Sequence, residues 1–302
     1  MKFHHFFDSS RSLFLRSENI NGLLFVLPLI FGFLAFQFYP LLASVFLSLT
    51  RYNLLQPARW VGIGNFLLLL KDPDFYKVVW NTVYFTAVSI PAGMIGGLFL
   101  ALLVNHKLKT MTLFRTIYFL PMITSWVVAG VVWAWLFHPS FGLVNYILWG
   151  LFRIEGPEWL VDSRWAMPAI IIVSIWKNIG YNMLIFLAGL QGIPNTFYEA
   201  AELDGAGRIR KLWHITIPLL SPTTFFVLIV SVIAAFQIFD VVYVMTEGGP
   251  EWSTRVIGYH VWNTGFMYMK MGYASAIAWV LFILIFGATL IQWRMGKRWV
   301  HY

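Results

Sequence analysis

The sequence predicts an all-α, polytopic membrane protein with about six transmembrane helices, and three observations carry that prediction. Of 302 residues, 59% are hydrophobic and only 11% are charged, where a soluble domain carries about 25% charged residues. The apolar residues gather into runs of roughly 20 or more, the length a helix needs to cross a hydrocarbon core of about 30 Å. Lipid offers the backbone no hydrogen-bond partners, so such runs must be helices; a transmembrane barrel would show short alternating segments. The absence of cysteine excludes disulfides and thiolate metal sites and leaves the compartment open.

Residues 1–20 read as a basic arm carrying Lys2, Arg11 and Arg16, followed by one transmembrane domain over 21–302. Arm and first span together read as an uncleaved signal-anchor, since a cleavable signal has an apolar stretch of only about 7–15 residues. The first span is expected from about Leu23 to Leu49, with Pro28 and Pro40 inside it, as transmembrane helices tolerate. A polar stretch over 50–77 precedes spans near Val78–Val104 and Thr116–Phe137. A loop through Arg164 leads to a fourth span near Met167–Leu190, a fifth near Thr223–Met245 and a sixth near Gly272–Trp293. Trp133, Trp135 and Phe137 read as part of an interfacial aromatic belt.

Charge sets the orientation. Four segments hold three basic residues each: the arm, the 105–115 turn, the 191–221 segment and the C-terminal tail. The alternate loops hold eight, diluted by Asp72, Asp74, Glu155, Glu158 and Asp162. The positive-inside rule then puts both termini in the cytoplasm. A net charge of +8 could suggest nucleic acid, but the basic residues lie between apolar runs rather than on one solvated face, so no nucleic-acid partner is expected; membrane lipid is.

The most patterned polar stretch is Leu190–Pro222, LQGIPNTFYEAAELDGAGRIRKLWHITIPLLSP. Thr196 and Glu199 have capping-box spacing, which predicts a helix over Thr196–Leu203. Asp204, Gly205, Ala206 and Gly207 break it, because glycine reaches positive φ without steric cost. A second helix over Arg208–Ile215 follows, before Pro218 and Pro222. The prediction is a cytoplasmic helix-turn-helix with small residues at its corner, where another backbone can approach. An amphipathic interfacial hairpin would share the pattern.

EAAELDGAG followed by ITIPLLSP resembles the EAA loop of binding-protein-dependent ABC importer permeases. Four further pieces, in the same order along the chain, carry the resemblance toward the maltose-type first permease of the carbohydrate-uptake branch: YPLLASVFLSLTRYN, VGIGNFLLLLKDPDFYKVVWNT, FRTIYFLP and FDVVYVMTEGGP. The resemblance implies the type I importer permease architecture. It implies that Glu199, Ala200, Ala201, Asp204, Gly205, Ala206, Ile215 and Pro218 belong to a loop that couples to a cytoplasmic ATPase. It also implies a second, related permease chain, two ATP-binding subunits that bind ATP and Mg, and an extracytoplasmic solute-binding protein, with no cofactor on this chain. The chain lacks the extra N-terminal spans and large periplasmic insertion of the maltose subunit, so it is similar to the shorter six-span form and maltose is not implied.

Polar groups inside apolar spans are the candidates for solute contact. Lys177 and Asp240 each cost about 2.5–3.5 kcal/mol at a bilayer centre, so they should face the bundle, water or each other; snorkelling of Lys177 and a structural hydrogen bond for Asp240 are the bland alternatives. Trp176, Asn178, Tyr181 and Asn182 in span four and Gln237 in span five supply aromatic faces for sugar rings and amides that both donate and accept. Residues 178, 181 and 182 share a helical face. The resemblance points the same way, since Trp176, Asn178 and Tyr181 fall where the maltose-type subunit lines its sugar site, Asn178 with a different residue type. Packing, anchoring or interhelical hydrogen bonding would place the same residue types in a span.

The sequence contains no G-x-x-x-x-G-K-[ST] phosphate loop and no H-E-x-x-H pair, which argues against an ATPase or zinc hydrolase. The expected function is a transport subunit, not an enzyme, moving a sugar by alternating access. A glycerol-phosphate importer is the nearest alternative. An ion-coupled secondary transporter, the other class, would need internal repeats and midplane acids, of which Asp240 is the one evident example.

Overall fold

The computed structural model describes residues 20–105 and 110–299; the basic arm falls outside these, apart from its last residue, as do Lys107 and Lys109. Helix α1 (Ile20–Ser48) contains both prolines of the first span and widens into a π turn at Leu34–Phe38. The reason is Pro40, which lacks an N–H and crowds the carbonyl four residues before it; the wider turn lets the Tyr39 N–H bond to the Leu34 carbonyl instead. At the far end, Asn65 Nδ2 donates to the Ser48 and Thr50 carbonyl oxygens at 2.7 and 2.9 Å, satisfying acceptors that a helix end leaves open.

The polar stretch folds into a short antiparallel ribbon, β1 (Thr50–Arg51) and β2 (Arg59–Trp60), with Thr50 opposite Trp60, and a helix α2 (Gly64–Leu69). Helix α3 (Pro73–Val104) starts earlier than the apolar run predicts, because Asp72 caps it: its Oδ1 accepts from the Asp74 N–H at 3.0 Å, with Pro73 at the first helical position.

The third span is not the continuous helix expected over 116–137. It is α4 (Thr110–Ile123) and α5 (Trp126–Leu136), bent by 98° at Thr124–Ser125. Pro121 prepares the break, and Ser125 restarts the chain as the N-cap of α5. A helical segment α6 (Leu143–Phe152) occupies the following loop. The expected aromatic belt is corrected here: Phe137 is buried, Trp133 packs on the core between Phe137 and Trp176, and Trp135 alone of the three is exposed.

Helix α7 (Ala166–Gln191) is the fourth span and the most deeply buried of the long helices. It packs most extensively against α3, and glycine makes that possible. A Cβ at Gly97 would lie 2.6 Å from Asn182 Cβ, and one at Gly96 would lie 2.7 Å from Ile179 Cδ1. Between helices in lipid, close van der Waals packing replaces the hydrophobic effect, and small residues four apart, here Gly93 and Gly97, are its usual means. Gly180 does the same against α4, where a Cβ would overlap the Tyr118 carbonyl oxygen.

After α7 the chain forms a hairpin of α8 (Asn195–Leu203) and α9 (Arg208–Leu219), and then α10 (Ser221–Phe236), which turns from α9 by 62°. Helix α9 repeats the device of α1: a π turn at Leu212–Thr216 precedes Ile217–Pro218. The fifth span is also shorter than predicted. It ends at Phe236, and a separate helix α11 (Asp240–Met245) follows a three-residue break. Helices α12 (Ile257–Trp262) and α13 (Met271–Trp299) complete the chain, α13 packing on α1, α10 and α12. With each bent pair counted as one span, the described residues give six.

Candidate functional site

Halfway along α3 and α7, and beside the break between α10 and α11, lies a cavity of about 480 Å³. Five of the seven residues singled out for solute contact line it: Asn178, Tyr181 and Asn182 from α7, Gln237 from the break and Asp240 from the first position of α11. The helical spacing of 178, 181 and 182 aims them at one space. Asp240 is therefore not inside a continuous fifth span, as expected, but at the start of a new helix, exposed to the cavity. Gly258 permits this geometry, since α12 approaches so closely that a Cβ there would lie 2.7 Å from the Ile238 carbonyl oxygen.

Trp176 and Lys177 lie apart from the cavity wall. Trp176 does not line the cavity; its ring packs edge-on to Trp133 with centroids 5.4 Å apart. Lys177 neither snorkels nor meets Asp240. It is buried, its Nζ donating to the carbonyl oxygens of Pro121 at 3.0 Å, Met122 at 3.3 Å and Thr124 at 2.5 Å, and lying 4.9 Å from the Trp126 ring centroid. Those carbonyls belong to the last turn of α4 and the corner after it, where the broken span ends the regular helical ladder; the Pro121 oxygen also accepts from the Thr124 N–H and hydroxyl. A cation there suits the negative end of the helix dipole.

Sequence reasoning missed the other polar and aromatic walls of the cavity. Ser174 and Ser231 contribute hydroxyls, and Trp126, Phe85 and Phe239 contribute aromatic surface. The Ser174 hydroxyl is buried with no hydrogen-bond partner among the described residues. Ser174 lies four residues before Asn178, whose Nδ2 donates to the Ser174 carbonyl at 2.9 Å, so extending the 178/182 face by one turn would have found it. A larger groove of about 870 Å³ between α5 and α6 shares no lining residue with this cavity.

The second region is the hairpin. Its first helix starts at Asn195 directly after Pro194, with no side-chain cap, so the Thr196–Glu199 capping box does not form; proline's fixed φ supplies the start instead. The corner is as the glycines predict. Gly205 has φ +76°, the Gly205 N–H donates to the Glu202 carbonyl at 3.0 Å, and the Ala206 N–H to the Ala201 carbonyl at 2.8 Å. That pair of bonds is a Schellman closure. Lys211 Nζ pairs with Glu202 Oε1 at 2.6 Å across the corner, and its hydrogen bond and charge hold the Glu202 carboxyl below its ordinary pKa. The Tyr198 hydroxyl and Thr216 Oγ1, 3.1 Å apart, tie the two arms together nearer the bundle.

Glu199, Ala200, Asp204 and Gly205 are exposed, while Ala201, Ala206, Ile215 and Pro218 are half-buried. The tip also carries uncovered apolar surface: Leu203 is 91% exposed and Ile209 76%. Large apolar side chains this bare on a polar hairpin suit a surface for contact with another protein or with lipid.

Residues 93–299 match the family of binding-protein-dependent transport system inner membrane components. The chain is 35% identical over 297 residues to the probable ABC transporter permease protein YesP of Bacillus subtilis (strain 168), covering 97% of this chain and 95% of that one. It is 38% identical to the sulfoquinovosyl glycerol transport system permease protein SmoG of Agrobacterium fabrum, covering 85% and 84%. To the sn-glycerol-3-phosphate transport system permease protein UgpA of Brucella abortus it is 34% identical, covering 88% and 91%. Among solved structures, a chain of a bacterial ABC transporter involved in the import of the acidic polysaccharide alginate superposes with a TM-score of 0.80 at 24% identity, covering 97% and 98%. The fold, the hairpin and these likenesses together establish that the chain belongs to the inner-membrane permease components of binding-protein-dependent ABC importers.

Proposed function

We propose that this chain forms one half of the pathway of a carbohydrate importer in a bacterial or archaeal cytoplasmic membrane, with both termini cytoplasmic, residues 1–20 as an arm and 21–302 as the permease domain. A second, related permease supplies the other half. Two ATP-binding subunits, which carry the ATP and Mg, receive the hairpin within residues 191–221, and an extracytoplasmic binding protein delivers the solute. The names of the relatives support a sugar-like or glycerol-based cargo.

One observation carries the mechanism. Helix α7 holds Asn178, Tyr181 and Asn182 on the cavity wall and ends at Gln191, with three residues between it and the start of α8 at Asn195. A displacement of the hairpin therefore reaches the cavity through a single packed helix. When ATP closes the paired ATPases, the hairpin moves with them and α7 reshapes the cavity toward the outside; hydrolysis returns it inward. Amides, hydroxyls and aromatic faces on the wall suit a polyhydroxylated solute, whose O–H groups both donate and accept and whose C–H faces stack on rings.

The test is purification of the tagged chain from its native membrane in mild detergent, with mass spectrometry of what accompanies it. Recovery of a phosphate-loop ATPase and a second permease supports the reading. Recovery of the intact chain alone, active in uptake without ATP, overturns it.

A further inference from the structure

We infer that the cavity admits uncharged carbohydrate and excludes phosphorylated, sulfonated and uronic-acid solutes. This inference rests on the importer reading and sharpens it to a substrate class. It also separates this chain from the relatives named for sn-glycerol-3-phosphate and from the transporter of an acidic polysaccharide.

Asp240 carries the one charged side chain on the cavity wall. Among the described residues the single ion pair joins Lys211 to Glu202, so no cation neutralises the Asp240 carboxylate. The one cation nearby on α7 is Lys177, and it is committed elsewhere. Its three carbonyl contacts and the Trp126 ring hold the ammonium at the α4–α5 corner.

Recognition of a phosphate, sulfonate or carboxylate takes Arg or Lys forks, or convergent N–H donors, aimed at the anion. This wall offers no cationic side chain and carries a carboxylate, which repels an anion. What it does offer fits neutral hydroxyls: the amides of Asn178, Asn182 and Gln237, and the unpartnered Ser174 hydroxyl. Asp240 itself accepts from a sugar O–H, a charge-assisted bond that an anionic solute would have to form against repulsion.

The chain has no cysteine, so the charge can be read directly with a single reporter thiol. Ser231→Cys, or Gln237→Cys as a second reporter, is placed in the assembled complex with the partners' cysteines replaced. Its reaction rates with a cationic and an anionic methanethiosulfonate of similar size are each normalised to a free thiol. We expect the cationic reagent to be favoured about tenfold, the enrichment one sign of charge produces in a cleft. Adding Asp240→Asn should bring the two rates within about threefold. Should that variant not assemble, raising salt to about 1 M on Ser231→Cys alone should collapse the ratio by screening.

Equal normalised rates, or a faster anionic reagent, overturn the inference; the latter would mean that the partner permease supplies compensating cations. Either result leaves the importer reading standing so long as the ATPase and second permease copurify. Their absence overturns that reading whatever the thiol rates.

Discussion

Lys177 Nζ reaches the Thr124 carbonyl oxygen at 2.5 Å, at the point where the third span turns through 98°. The ammonium thereby caps a helix that is not its own, and it holds Met122 and Trp126, both on the cavity wall, in position. Lys177→Met should take the ammonium donor from the part-buried Met122 and Thr124 carbonyls and leave Pro121 only its bonds from Thr124, costing on the order of 1–3 kcal/mol. That should appear as a drop of several degrees in the thermal midpoint of the purified complex, with Lys177→Arg partly restoring it. An unchanged midpoint in the Met variant would mean that the corner is held by packing alone.

The α3–α7 contact makes a second prediction. At Gly97 an added Cβ meets Asn182 and the Met183 backbone within 3.1 Å, and at Gly180 it meets the backbone of Tyr118; neither neighbour is a flexible chain end. Gly97→Leu and Gly180→Ala should each destabilise by about 1–3 kcal/mol or more, through forced separation of packed helices. Gly287→Ala in α13, where nothing lies within 4 Å, is the control and should be neutral. Size-exclusion profiles of fluorescently tagged variants would read this, and equal monodisperse yield from all three would contradict it.

These contacts mark where the sequence was legible. Span number, the hairpin and its Gly205 corner follow from apolar run length and turn chemistry, which are local properties. The breaks at Thr124–Ser125 and after Phe236 are not local. Both lie in runs apolar enough to be single helices, and the first is held open by Lys177, 53 residues away. Asn178, Asn182 and Asp240 were identifiable as polar residues in apolar runs. The place of Trp176 was not legible, because an aromatic ring in a span looks the same in sequence whether it faces a cavity or Trp133. The Gly93/Gly97 pair could have been read as a helix-packing signal from its four-residue spacing.

His260, in the helix α12 between the fifth and sixth spans, gives a pH prediction. Burial, reinforced by the Arg255 guanidinium and opposed by Asp72 and Asp74, pushes its pKa down from 6.5 to about 4. The folded chain thus binds this proton less readily than the unfolded chain does. The contribution of neutral His260 to stability is complete above pH 6.5, falls as pH drops below that value, and is fully lost once pH passes below about 4. The complex should lose thermal stability across that window, and His260→Phe should flatten the local part of the profile. A His260→Phe profile that tracks the parent between pH 6.5 and 4 would assign the acid sensitivity to other groups.

The hairpin separates coupling from folding. Gly205 has φ +76° with open space around its Cα, so Gly205→Ala meets only backbone strain, about 1 kcal/mol and confined to an exposed corner. Leu203→Asp removes no packing, since the side chain is 91% exposed, but places a charge on the apolar tip. If that tip seats on an ATPase subunit, Gly205→Ala should retain most uptake, while Leu203→Asp should lose at least about tenfold in uptake and in ATPase copurification, as burying an unpaired charge at an interface does. Measured without the ATPases, Leu203→Asp should match the parent in thermal midpoint and Gly205→Ala should fall no further than its local strain requires. Normal uptake and copurification by Leu203→Asp would remove the tip from the contact and leave the flanks of α8, with Glu199 and Ala200, as the surface to test.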